Sequence, residues 1–129
     1  MNYSSFYKSI KTIAIVGLSD KPGRPSYEVG KYLARHGFKI IPVNPNIDSF
    51  LGVKSYPTLS DIKEPVDVVD IFRKSEFVEP IVDEAIKIKA RAVWMQEGVV
   101  NETAAQKARS AGLTIVMNLC IMKEHKKSS

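Results

Sequence analysis

One cysteine, two histidines and no long apolar run set the first limits on this chain of 129 residues. Cys120 alone cannot build a disulfide framework, and there is no cysteine cluster to hold zinc. His36 and His125 stand too far apart in sequence to read as a ligand pair, so metal chemistry is not expected. A membrane-spanning helix needs about 18 or more consecutive apolar residues, and none occurs. Met1 to Lys11 carries no apolar signal core, which places the expected location in the cytoplasm. There is no polar low-complexity stretch to suggest disorder.

Two further absences concern partners. The net charge is +5, yet no basic stripe interleaved with aromatics appears, so neither nucleic acid nor membrane is an expected partner. Part of the excess lies in a basic tail over 123–129, read as solvated, where Lys123, Glu124, His125, Lys126 and Lys127 cluster. A small anionic molecule accounts for the charge equally well.

What is present is the composition of a globular domain, 44% hydrophobic and 26% charged. A chain of this size buries roughly two-thirds of its unfolded surface, enough for one self-sufficient domain over 1–129, with a short N-terminal segment at 1–9. It is expected as a monomer or a weak homodimer.

The pattern along the chain is β-α-β throughout. Thr12 to Val16 is a continuous apolar run rich in β-branched residues, the mark of a strand buried on both faces in a parallel sheet. Ser26 is expected to cap a helix over about Tyr27 to His36, which Gly37 ends. Lys39 to Val43 reads as the second strand, ended by Pro45. A weak element at Val53 to Tyr56 and a one-turn helix near Leu59 to Ile62 precede a strand over Val66 to Phe72. A helix starts near Glu79, since Pro80 is tolerated only in a first turn. Ala92 to Met95 is a strand, Asn101 caps a helix through Ala108 to Gly112, and Leu113 to Met117 is the last strand. The fold class is therefore α/β: a Rossmann-like three-layer α/β/α sandwich with a mainly parallel sheet.

Ligands of such sheets bind beyond the carboxyl ends of the strands, where strand order reverses. That rule selects five segments expected to converge: Gly17 to Ser26, Val43 to Asn46, Phe72 to Ser75, Gln96 to Val99, and Asn118 to Cys120. The first joins a buried strand to a helix, where free N–H groups and the helix dipole favour an anion, and Arg24 adds a bidentate phosphate donor. Thr12 to Arg35 thus reads as a cradle for the phosphates of a nucleotide-bearing cofactor. It lacks the G-x-G-x-x-G fingerprint, having only Gly17 and Gly23, and no G-K-[ST] follows. An acidic residue for ribose is also missing at the end of strand two, where Val43-Asn44-Pro45 stands, which disfavours a standard NAD dehydrogenase.

Other residues keep two readings. Arg73 and Lys74 after Phe72 suit either a phosphate or Glu76 and Asp70 nearby. Trp94 reads as core, Gln96 as a ligand contact or a loop-ordering amide, and Gly98 lets backbone approach a ligand. Cys120 is a buried, inert thiol or a nucleophile without an evident histidine base.

Taken together, Val16-Gly17-Leu18-Ser19 with Arg24-Pro25-Ser26, Ile41 to Pro45, Val69-Asp70-Ile71-Phe72-Arg73, Trp94 to Val99 and Cys120-Ile121-Met122 resemble a known group. These are the small CoA-binding proteins whose fold is like the N-terminal domain of the succinyl-CoA synthetase α subunit, and the resemblance covers nearly the whole chain. It implies coenzyme A or an acyl-CoA as ligand. Gly17, Leu18, Ser19, Arg24, Pro25 and Ser26 would hold the pyrophosphate, and Val43, Asn44 and Pro45 would border the adenosine. Phe72, Arg73 and the stretch Gln96, Glu97, Gly98 and Val99 would line the same cleft, and Lys74 and Cys120, at neighbouring strand ends, join them as candidates. One departure is Asn118-Leu119, where similar chains carry an acidic and a basic residue. The synthetases use a phosphorylated histidine from a separate domain, and neither His36 nor His125 supplies one, so ligase activity is not implied. The resulting expectation is a non-catalytic CoA-binding protein. The alternative is an enzyme or redox-responsive module that uses a nicotinamide nucleotide or acyl-CoA with Cys120 near the reactive end.

Overall fold

The run Thr12–Val16 (β1) is buried along its whole length because it lies inside a five-stranded sheet, between Lys39–Val43 (β2) and Val68–Ile71 (β5). The computed structural model describes residues 3–128; Met1, Asn2 and Ser129, which belong to the terminal segments considered above, lie outside them. Ala92–Met95 (β6) and Thr114–Val116 (β7) complete the order β2-β1-β5-β6-β7, with every pairing parallel. Val16 lies opposite both Val43 and Ile71, and Ile71 opposite Met95. Their carboxyl ends are therefore level, and strand order reverses between β1 and β5.

Alternation along the strands divides the core in two. Ala14, Ile41, Val69 and Val93 face the helices Val78–Lys87 (α3) and Glu102–Ser110 (α4). Ile13, Ile15, Ile40, Val68 and Trp94 face Pro25–Arg35 (α2) and two further helices, Ser4–Ser9 (α1) and Ile121–Ser128 (α5). The α/β/α layering holds. Asn101 caps α4 by accepting the Ala104 N–H at 3.0 Å, and Pro80 sits in the first turn of α3.

Five sequence expectations need correction. The cap of α2 is Arg24, with Pro25 in the first helical position, and Ser26 lies inside the helix. Fixed proline φ and a missing N–H suit that first position, which moves the start forward. The tail is only partly solvated: it is helical, with Glu124 buried while Lys123, Lys126 and Lys127 stay exposed, and just before it Tyr7 donates to the Ile121 carbonyl at 2.7 Å. The strand predicted over Val66 to Phe72 is shorter, and so is the last one. Val53 to Tyr56 yields only Val53–Lys54 (β4), paired antiparallel with Ser49–Phe50 (β3), plus a bridge from Tyr56 to Val43. Leu51 and Gly52 turn this hairpin with φ of 48° and 82°. Leu-Gly lacks the usual Asn-Gly signal of such a turn.

Candidate functional site

Gly17 leaves β1 with φ 88°, and a Cβ there would lie 2.4 Å from the carbonyl oxygen of Phe72. Only glycine fits this crossing of the β1 and β5 loops. The loop that follows is held by its own side chains. Ser26 Oγ accepts the Ser19 N–H at 2.9 Å, Ser19 Oγ accepts the Lys21 N–H at 3.1 Å, and a Glu28 carboxylate oxygen accepts the Gly23 N–H at 3.1 Å. Glu28 also sits in the first turn of α2, where the helix dipole favours negative charge. The Ser26 and Tyr27 N–H groups lie in the first turn of α2, which has no preceding helical turn to supply them with carbonyls.

Asn44, at the end of β2, ties this loop to the next. Its Nδ2 donates to the Leu18 carbonyl at 3.0 Å and its Oδ1 accepts the Asn46 N–H at 2.9 Å. Two clefts open beyond the strand ends. The first, of about 490 Å³, runs from Gly17 across Val43, Asn44 and Pro45 to Thr58 and Glu84. The second, of about 740 Å³, lies between Pro25 and Val29 of α2, Lys74, the Gln96 to Val99 loop, and Cys120, Met122 and Lys123. Phe72 and Arg73 line both. The β1–α2 loop begins at Gly17 in one wall and reaches Pro25 in the other.

Most of the residues selected from the sequence are thus brought together, and four are not in the walls. Leu18 is fully buried in the core and contributes only its carbonyl. Ser26 is buried, Ser19 orders the loop, and Arg24 is exposed at the helix cap outside both linings. Asp70 does not partner Arg73 or Lys74. It is fully buried on the Trp94 side of β5, and neither of its carboxyl oxygens has a hydrogen-bond partner among the described residues. Burial pushes its pKa well above the usual carboxylate range. The Arg73 guanidinium instead lies 5.0 Å from the centre of the Phe77 ring.

Gln96 is the loop-ordering amide: buried, it accepts the Ile121 N–H at 3.1 Å. Asn118, with φ 63°, accepts the Gly98 N–H at 2.7 Å, and Leu119 accepts the Trp94 Nε1–H at 2.8 Å. The departure at Asn118-Leu119 therefore joins the β6 and β7 loops. Sequence reading missed Glu28 and Val29, although both follow Pro25 at helical spacing. It also missed Met122 and Lys123 as cleft residues: Lys123 opens the segment read as a solvated tail, and Met122 stands just before it. Lys123 reaches Glu97 at 2.9 Å across the second cleft.

The family described as "CoA binding domain" matches residues 11–126. This chain belongs to that CoA-binding family. The uncharacterized protein YneT of Bacillus subtilis (strain 168) is 45% identical over 115 residues, which are 89% of this chain and 85% of that protein. A solved structure of a hypothetical protein from Pyrococcus horikoshii OT3 superposes with a TM-score of 0.92 at 43% identity, covering 95% of this chain and 87% of the other. The acetate–CoA ligase [ADP-forming] II of Archaeoglobus fulgidus is 37% identical over 76 residues, 57% of this chain and only 11% of the ligase. The family resemblance and the Rossmann-like fold read from the sequence are borne out.

Proposed function

We propose that the protein binds coenzyme A or an acyl-CoA at the carboxyl edge of its sheet and holds it without turning it over. The observation that carries this reading is the course of the β1–α2 loop, which leads from one cleft to the other across the strand-order reversal and offers α2 N–H groups to an anion. The pyrophosphate lies against that loop and the start of α2. Val43, Asn44 and Pro45 border the adenosine in the first cleft, and the pantetheine arm passes Phe72 and Arg73 into the second. Membership of the CoA-binding family supports the choice of ligand. Calorimetric titration with CoA tests it: saturable heat and a raised melting temperature are expected, and neither heat nor thermal shift would refute it.

A second reading is favoured by the place of Cys120 in the wall of the second cleft. Here the Cys120 thiolate attacks the disulfide of oxidised CoA, forming a protein–CoA disulfide and releasing one CoA thiol. Intact mass after exposure to oxidised CoA decides it, since an unchanged mass removes this reading.

A further inference from the structure

The second cleft differs from the first in what it leaves for a ligand. Its walls are largely apolar, formed by Pro25, Val29, Phe72, Val99, Cys120 and Met122. Several polar groups at its rim are engaged within the protein, while Arg73 and Lys74 add cations to the lining. Gln96 Oε1 accepts from Ile121 N–H, Gly98 N–H donates to Asn118, Glu97 pairs with Lys123 at 2.9 Å, and Glu28 accepts from Gly23 N–H. The Gln96–Ile121 bond is buried, and a ligand group that took Gln96 would strand a donor that is expensive to leave unmade. A carboxylate laid on these apolar walls would lose hydration that they cannot replace. At about 740 Å³ against 490 Å³, this is the roomier cleft, and it shares Phe72 and Arg73 with the first.

We infer that the second cleft receives a short apolar acyl chain, so that the preferred ligand is an acyl-CoA with an uncharged acyl group rather than free CoA or a dicarboxylic thioester. This inference rests on the CoA reading above. It assigns the cleft by what its surface can satisfy: the acyl chain covers Val29, Val99 and Met122 and asks for no hydrogen bond.

The test compares CoA, butanoyl-CoA and succinyl-CoA by calorimetry on the full chain. Burial of one methylene is worth about fourfold in affinity, so butanoyl-CoA is expected to bind at least about tenfold tighter than CoA, with succinyl-CoA no tighter than CoA. Met122→Asp should bring the butanoyl-to-CoA ratio close to one. Val99→Thr keeps the side-chain shape and should lower the same ratio, so the test does not hang on one variant folding. Equal affinities for CoA and butanoyl-CoA, tightest binding of succinyl-CoA, or a ratio untouched in both variants would overturn the inference while leaving the CoA reading intact. Absence of heat with all three ligands would remove both.

Discussion

The Phe72 carbonyl occupies the space a side chain on Gly17 would need, 2.4 Å from where the Cβ would stand. Gly23, in the same loop, also has positive φ but has nothing within 4 Å of its Cβ position. The two glycines separate backbone strain from steric exclusion. Gly23→Ala is expected to lose about 1–2 kcal/mol, the penalty of a left-handed residue. Gly17→Ala adds a clash with backbone and is expected to lose about 3–5 kcal/mol. Urea unfolding of the two variants measures the difference, and equal losses would mean that the β5 loop yields.

Asp70 is expected to make stability fall as pH rises. Its pKa is raised by burial from an ordinary value of 3.8, so the folded state favours the protonated acid. Stability from this group is fully present below the unfolded value and is lost as pH rises through the folded one. Asp70→Asn keeps the shape and removes the titration. The variant is expected to gain melting temperature relative to the parent as pH is raised from 5 to 9, and a constant gap over that range would contradict the assignment.

His125 acts in the opposite direction, at the junction of α5 with α2 and α1. Its Nδ1 lies 2.7 Å from Tyr32 Oη, its ring meets Tyr7 edge-on with centroids 4.8 Å apart, and the His36 ring is 5.2 Å away. Burial first, then His36, lowers its pKa below the ordinary 6.5. The neutral ring is the one that fits. Its contribution is present above about pH 6.5 and is lost as pH falls through the lowered folded value. Hydrogen exchange of α5 amides is expected to accelerate between pH 6.5 and 5 relative to the intrinsic rate, and His125→Gln should flatten that acceleration.

The parts of this molecule legible in its sequence are those fixed by local signals. Thr12 to Val16 is apolar at every position because the strand is covered on both faces, and Asn101 and Gly112 bracket α4 as cap and stop. The docked termini were illegible because their evidence is non-local. Tyr3, Phe6 and Tyr7 look like scattered aromatics until Trp94 is beneath them, with ring centroids 5.2, 5.8 and 6.1 Å from it. Likewise His125 reads as one charge in a basic run until Tyr32 lies opposite. At the site, strand ends and their glycines were readable, whereas Glu28 was not, since its partner is a loop amide. Asp70 looked available to Arg73, but strand alternation turns it into the core.

The positions of Arg24 and Arg73 give the proposed ligand site its sharpest contrast. Arg24 stands just before the α2 N-terminus, yet it lines neither cleft. Arg73 lines both, and its guanidinium rests on Phe77, which narrows its orientations before any ligand arrives. A guanidinium already held near the loop loses less entropy when it meets a phosphate. Arg73→Ala is therefore expected to weaken CoA by on the order of 1–3 kcal/mol, the range for losing a charged hydrogen bond. Arg24→Ala should cost less than about 1 kcal/mol, as expected for a screened surface charge. Dephospho-forms of the ligand that retain the pyrophosphate should show the same order, whereas pantetheine alone should not distinguish the variants. Calorimetry on both variants with these ligands checks the order; a larger loss for Arg24 would move the anion contact from the cleft junction to the helix cap.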